Sequence, residues 1–136
     1  MPRARVLIAD DHPFVVEALT ELLADEVDIV GAVGNGEALV ETALRLEPDV
    51  ILTDLSMPGL DGTKAVARLK AGGCQSKIIV ITMYTDPHIA DEAIRAGASG
   101  FVLKQTAGEE LITAINDVMK GRTYISPAAG SHRPSR

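Results

Sequence analysis

Short apolar runs and helical apolar patterns alternate along this chain of 136 residues. Runs rich in Val, Ile and Leu occupy residues 5–9, 29–33, 50–53, 77–82 and 100–103. Several are apolar at consecutive positions, which is typical of central strands buried on both faces. Between and after these runs, apolar residues recur at helical spacing. Strict alternation predicts one doubly wound α/β domain with a five-stranded parallel sheet and helices on both faces.

Composition limits the core and the classes of function. Aromatic residues make up only 3% of the chain, so the core is expected to be aliphatic. The formal net charge is -6 and no basic stripe is present, which argues against nucleic-acid binding by this chain itself. The single cysteine, Cys74, excludes an internal disulfide. No apolar stretch is long enough to span a bilayer and no signal peptide is visible, so we expect a cytoplasmic protein without membrane contacts.

Carboxylates follow two of the predicted strands. Asp10 and Asp11 come directly after the first apolar run, and Asp54 comes directly after the third. Parallel strands bring their carboxyl ends to one edge of the sheet, where open α/β sheets bind ligands. Three like charges at that edge destabilise one another unless a cation or protons compensate them. The pattern predicts a divalent cation with oxygen ligands and one carboxylate available for chemistry.

Two more predicted strands end in polar groups. Thr82 ends the fourth run and Lys104 follows the fifth. Lysine provides a compact positive charge for an anionic oxygen, and a threonine hydroxyl can donate a hydrogen bond to the same group. Together with the carboxylates, these side chains indicate phosphoryl transfer to a carboxylate.

At these residues the chain resembles the receiver domain of bacterial two-component response regulators, over about residues 6–119. The resemblance rests on the strand-end residues and on a loop motif after Asp54. The stretches 9–13, 96–101 and 124–127 most resemble the LuxR/NarL-type subgroup, whose members usually continue into a helix-turn-helix DNA-binding domain. The matching residues are Asp10, Asp11, Asp54, Met57-Pro58-Gly59, Asp61-Gly62, Thr82, Phe101 and Lys104.

The resemblance implies a phosphoacceptor and a metal site. Asp54 is expected to take a phosphoryl group from the phosphohistidine of a sensor histidine kinase. Asp11 and Asp54 are expected to bind Mg²⁺ (or Mn²⁺) directly, Asp10 to hold a metal-bound water, and the backbone carbonyl of Ser56 to complete the site. His12 is expected to be a polar loop residue rather than a ligand.

The resemblance also implies a switch and a topology. Lys104 is expected to pair with Asp54 before transfer and with the phosphoryl oxygen afterwards. Thr82 is expected to move toward the phosphoryl group and Phe101 to turn inward. The family fold is flavodoxin-like, (βα)5, with strand order 2-1-3-4-5. The chain is therefore not expected to be an enzyme, apart from slow hydrolysis of its own aspartyl phosphate.

The chain departs from many receivers beside the site. Gln105 follows Lys104 where many receivers have a proline, often after a cis bond, so the isomer of this bond stays open. Met83 and Tyr84 follow Thr82 where a small residue is common. We expect these two side chains to narrow access to Asp54 and to prolong the life of its acyl phosphate.

The sequence predicts a receiver domain over residues 1–120 and a linker-like, disordered tail over residues 121–136. Since no helix-turn-helix sequence follows, the chain is expected to be part of a longer transcriptional regulator that contacts DNA through a separate domain. Alternatives are a stand-alone receiver that acts by protein contacts, a receiver-like scaffold that is not phosphorylated, and a Mg²⁺-dependent phosphatase of the haloacid-dehalogenase type. A homodimer is a further expected partner state.

Overall fold

One parallel sheet and its flanking helices make up the computed structural model, which describes residues 3–59 and 62–130. The strands are β1 Ala4–Ala9, β2 Val27–Val33, β3 Val50–Asp54, β4 Lys77–Thr82, β5 Gly100–Leu103 and β6 Tyr124–Ile125. The helices are α1 Pro13–Leu23, α2 Gly36–Leu46, α3 Gly62–Ala71, α4 Pro87–Ala96, α5 Ala107–Met119 and α6 Pro127–Gly130. A short 3-10 helix, Lys104–Thr106, joins β5 to α5.

The order of the strands is β2-β1-β3-β4-β5-β6, and every neighbouring pair is parallel. The order reverses between β1 and β3, which is the point where α/β sheets open a crevice for ligands. There Ala9 is the partner of Thr53, so the next residues, Asp10 and Asp54, leave adjacent strands side by side. The topology therefore places the first and third strand ends together, as the sequence predicts.

Both faces of the sheet are buried, which explains the consecutive apolar residues in the strands. Leu7, Ile51 and Phe101 pack with α2, α3 and α4 on one face. Ile8 and Leu52 pack with α1 and α5 on the other face. Each of these five helices presents one apolar stripe to its side of the sheet. The core is aliphatic, as expected, with Phe101 its one fully buried aromatic side chain among the described residues.

Local sequence signals fix the starts of two helices. The Asn35 side chain accepts a hydrogen bond from the Ala38 amide at 2.7 Å and caps α2. Asp86 caps α4 through the His88 amide at 2.9 Å, and Pro87 is the first residue of that helix. Across the described ranges, no helix has the length and apolarity that crossing a bilayer requires.

The prediction of five strands needs one correction, because the described residues form a sixth. Tyr124 and Ile125 pair with Gly100 and Phe101 of β5 and extend the edge of the sheet. Residues 127–130 then form α6, so part of the segment expected to be a disordered tail has regular structure. Residues 131–136 lie outside the described residues, and a domain boundary at residue 120 stays a prediction.

Candidate functional site

The carboxyl ends of β1 and β3 bring the predicted acidic residues together. The backbone N–H of Asp10 donates to the Val33 carbonyl of β2 at 2.9 Å, which fixes the chain as it leaves β1. Asp10 and Asp54 are each only 5% exposed, whereas Asp11 lies at the surface. Two carboxylates are therefore held out of water side by side, an arrangement that requires compensating positive charge.

Lys104 supplies positive charge in this structure. Its Nζ lies 3.1 Å from Asp54 Oδ2 and 3.1 Å from Asp10 Oδ2, so one ammonium group bridges both buried carboxylates. Burial alone lowers the pKa of Lys104, but hydrogen bonds and Coulombic attraction from Asp10 and Asp54 outweigh it and raise the pKa. Lys104 is the first residue after β5, so three strand ends meet at this ion pair.

His12 contacts the acidic cluster, which the sequence analysis did not predict. Its Nδ1 lies 3.0 Å from Asp10 Oδ1 and 3.2 Å from Asp11 Oδ1. Its backbone N–H also donates to Asp10 Oδ1 at 2.9 Å. The imidazole is therefore part of the rim of the site, although its side chain stays 62% exposed.

The loop after Asp54 is held by tight backbone packing. The Ser56 N–H donates to Asp54 Oδ1 at 3.3 Å and orients the carboxylate. The Gly62 N–H donates to the Leu55 carbonyl at 2.8 Å. A Cβ atom on Gly62 would lie 2.6 Å from Leu55 Cα and 2.7 Å from the Asp54 carbonyl oxygen, so only glycine fits there. Asp61, part of the predicted motif, lies outside the described residues.

Thr82 and Phe101 are buried on neighbouring strands. Thr82 is 1% exposed, and its Oγ1 accepts a hydrogen bond from the Tyr84 amide at 3.2 Å. Phe101 is 0% exposed, so its ring already lies inside in this structure. An inward turn of Phe101 from an exposed position is therefore not seen in this structure, and its role as a switch stays a prediction.

The predicted access residues lie at the surface. Met83 is 66% exposed and Tyr84 is 53% exposed, on the segment that leaves Thr82. Gln105 Nε2 donates to the Met83 carbonyl at 3.3 Å and ties this segment to the chain beyond Lys104. The Lys104–Gln105 bond is trans, since no cis peptide bond occurs in the described ranges.

Phe14 is a residue beside the site that the sequence analysis missed. Its side chain is 85% exposed. It borders a surface groove of about 420 Å³ between α1 and α5, which Lys104 also lines. Phe14 follows Pro13 at the start of α1, where helical spacing gives no signal for an outward-facing aromatic ring. An apolar surface therefore lies next to the cluster of charges.

The site residues fit a divalent cation. Atoms of Asp10, Asp11, His12 and Asp54 that can bind metal lie within 4.8 Å of one another. Buried carboxylate oxygens are ligands that Mg²⁺ and Mn²⁺ accept. Since one lysine faces the negative charges of several carboxylates, the cluster keeps an excess of negative charge that favours a cation.

A family model and a curated relative each match most of this chain. A family model described as the response regulator receiver domain matches residues 6–116. The probable transcriptional regulatory protein NarL of Mycobacterium tuberculosis is 35% identical over 130 residues, which cover 93% of this chain and 59% of that protein. The chain therefore spans less than two thirds of the length of this relative.

Solved structures show the same fold. A LuxR-family two-component response regulator from Aurantimonas sp. matches with a TM-score of 0.90 and 29% identity, covering 95% of this chain and 94% of the other. The RcsB response regulator of Salmonella typhimurium, described for its conformational dynamism in DNA interaction, matches with a TM-score of 0.87 and 32% identity. That match covers 96% of this chain and 65% of RcsB.

Proposed function

This chain belongs to the family of response regulator receiver domains, and we propose that Asp54 accepts a phosphoryl group from a sensor histidine kinase. The observation that carries this proposal is the pairing of Lys104 with Asp54 and Asp10 at 3.1 Å. A lysine that bridges two buried carboxylates can neutralise one of them before phosphoryl transfer and bind a phosphoryl oxygen after it. Family membership supports the same roles.

In the proposed transfer, an Asp54 carboxylate oxygen attacks the phosphorus of the donor's phosphohistidine. The new O–P bond forms as the P–N bond breaks, and the electron pair of that bond leaves with the imidazole. Asp10, Asp11 and Asp54, with the backbone carbonyl of Ser56, would hold a divalent cation, Mg²⁺ or Mn²⁺. When bound, this cation neutralises charge on the phosphoryl oxygens. The Ser56 amide holds the carboxylate in place, at 3.3 Å from Asp54 Oδ1.

Residues at the ends of β4 and β5 then bind the phosphoryl group. Lys104 moves from the Asp54 carboxylate to a phosphoryl oxygen, and the Thr82 hydroxyl turns from the Tyr84 amide to the same group. The Phe101 side chain on β5 changes its position, and the nearby protein surface changes with it. This is a two-state packing change biased by new charge. Slow hydrolysis of the acyl phosphate returns the domain to its first state.

The names of similar proteins point to control of transcription. NarL is named a transcriptional regulatory protein, and the RcsB structure concerns DNA interaction. We therefore propose that this receiver acts in the cytoplasm, controls transcription through a separate DNA-binding domain and has a homodimer as one of its assembly states. A stand-alone receiver that acts by protein contacts is the second candidate, because a net charge of -6 argues against DNA binding by this chain itself.

Phosphorylation with a small donor tests the proposal. Incubation with Mg²⁺ and a small acyl phosphate should add one phosphoryl group per chain, measured by intact mass, and a chelator should prevent it. Equal labelling with the chelator present contradicts the proposed site. Repeated hydrolysis of a chromogenic phosphate ester, seen as continued release of its coloured alcohol, would favour a phosphatase instead. A receiver is not expected to hydrolyse such an ester repeatedly.

We also propose that Tyr84 narrows the access of water to Asp54, and this role leads to a second prediction. In Tyr84→Ala the acyl phosphate should be lost several-fold faster, because attacking water gains access to Asp54. The half-life of the phosphorylated chain, followed by phosphate release, measures this effect. Leu44→Ala is a control for the loss of a large exposed side chain away from the site, since Leu44 lies near the end of α2 and is 42% exposed. A Tyr84→Ala protein that keeps its phosphate as long as the parent contradicts the role.

A further inference from the structure

A small polar cluster fixes the segment after α5 to the edge of the sheet. This C-terminal clamp consists of Glu110, Tyr124 and Ser126. Glu110 Oε1 accepts hydrogen bonds from the Tyr124 hydroxyl at 2.8 Å and from the Ser126 hydroxyl at 2.7 Å. Ser126 is 0% exposed. One carboxylate on α5 therefore holds both ends of a three-residue stretch.

The clamp reaches the strand that leads to Lys104. The Ser126 N–H donates to the Phe101 carbonyl at 2.8 Å. The Ser126 hydroxyl accepts a hydrogen bond from the Leu103 N–H at 3.0 Å, just where the ladder between β5 and β6 has ended. This hydroxyl replaces a backbone carbonyl and satisfies a buried N–H that would otherwise lack a partner. The next residue is Lys104, so Glu110 is linked to it through Ser126 and Leu103.

Charge at the clamp supports this arrangement. Burial raises the pKa of Glu110, but hydrogen bonds from Thr106, Ser126 and Tyr124 outweigh it, so the pKa is lowered and the carboxylate stays ionised. Burial and the Glu110 carboxylate together raise the pKa of Tyr124 to about 12. Hydrogen bonds to a charged acceptor are stronger than neutral ones, so the clamp is well suited to hold a backbone position.

We propose that Glu110 is a positioning residue, which fixes the end of β5 through Ser126 so that clamp closure and occupancy of the phosphoryl site oppose each other. In this structure the closed clamp coexists with Lys104 paired to Asp54. In the proposed function a phosphoryl group on Asp54 draws Lys104 away from that carboxylate. Because Lys104 directly follows Leu103, the end of β5 then moves with it and loosens the hydrogen bond from Leu103 to Ser126. The inference deepens the proposed function and rests on it. Because coupling between two sites is reciprocal, weakening the clamp must also favour the phosphoryl-bound state.

The first experiment needs no phosphoryl group. In the full chain, Glu110→Gln and Ser126→Ala should speed amide exchange of Leu103 by at least about five-fold and shift the side-chain NMR signals of Lys104. Glu109→Gln is a matched control, because Glu109 is exposed and lies in the same first turn of α5. Ser126→Thr keeps the hydroxyl and should restore the parent values. Unchanged Lys104 signals in Glu110→Gln would reduce the clamp to a purely structural role and overturn the proposal.

The second experiment measures the coupling with beryllofluoride, a phosphoryl analogue, at saturating Mg²⁺. Its binding to the parent chain should speed exchange of the Ser126 amide by at least about five-fold, and Glu110→Gln should bind it more tightly by a similar factor. Glu109→Gln should bind it as the parent does. Equal affinity in Glu110→Gln, or no change at Ser126, overturns the coupling. If the parent chain neither binds the analogue nor is phosphorylated, the proposed function fails, while the first experiment still decides whether Glu110 positions Lys104.

Discussion

Asp54→Asn is expected to abolish phosphorylation of the chain by a small acyl phosphate in the presence of Mg²⁺. The amide has nearly the same shape as the carboxylate but lacks the anionic oxygen that attacks phosphorus. Lys104 keeps its contact with Asp10 at 3.1 Å, so the neighbouring charges remain partly compensated. Intact mass after incubation with the donor measures the loss, and circular dichroism verifies the fold.

Asp11→Asn distinguishes a metal ligand from the residue that accepts the phosphoryl group. Asp11 lies at the rim of the cluster, with its side chain 32% exposed. Its variant should be phosphorylated slowly at low Mg²⁺ and recover at high Mg²⁺, because only metal affinity is reduced. Asp54→Asn should not recover at any Mg²⁺ concentration. Recovery of Asp54→Asn by metal, or labelling equal to the parent, would show that another residue accepts the phosphoryl group.

Gly62→Ala is expected to lower the free energy of unfolding by about 3 kcal/mol, at the upper end of the usual cost of overpacking. The new Cβ would lie 2.6 Å from Leu55 Cα and 2.7 Å from the Asp54 carbonyl oxygen, and both neighbours are backbone atoms that cannot turn away. The loop must therefore move, and the Asp54 carboxylate moves with it. Slower phosphorylation at every Mg²⁺ concentration should accompany the loss of stability. Urea unfolding and the phosphorylation rate measure the two effects.

Gly108→Ala is the matched control for this substitution. Gly108 lies in α5, and a Cβ there meets no heavy atom within 4 Å. Alanine should raise the free energy of unfolding by about 0.5 to 1 kcal/mol, because glycine destabilises a helix relative to alanine. If Gly62→Ala is as stable as Gly108→Ala, that result contradicts the close packing described here between Gly62 at the start of α3 and the end of β3.

Much of the fold could be predicted because the strands are buried on both faces. Their consecutive apolar residues gave boundaries within two residues of those observed, for example Ala4–Ala9 and Val27–Val33. The order of the first five strands followed from the family resemblance and is confirmed. The family itself is confirmed by the receiver domain model that matches residues 6–116.

The sixth strand could not be predicted from its own pattern. Tyr124–Ile125 is only two residues long, too short to show either periodicity. Its stability comes from pairing with β5 and from Glu110 on α5, contacts that only the fold brings together. The contact of His12 with Asp10 and Asp11 could not be predicted for a similar reason, since it depends on how the chain turns after β1.

The geometry of the site was foreseeable in part. Asp10, Asp54 and Lys104 do lie together, because parallel strands bring their carboxyl ends to one edge. Their chemical roles, and those of Ser56, Thr82 and Phe101, stay proposals. Phe101 is an example. The family resemblance implies that its ring turns inward during switching, but the ring is already fully buried in this structure, so one structure does not test that movement.

Locating the phosphoryl group is the most direct test of the central proposal. The phosphorylated chain is treated with borohydride, which reduces an aspartyl phosphate to homoserine, and its peptides are sequenced by mass spectrometry. We expect homoserine at position 54 and unchanged Asp10 and Asp11. Homoserine at position 10 or 11, or a phosphoryl group retained on His12, would contradict Asp54 as the acceptor.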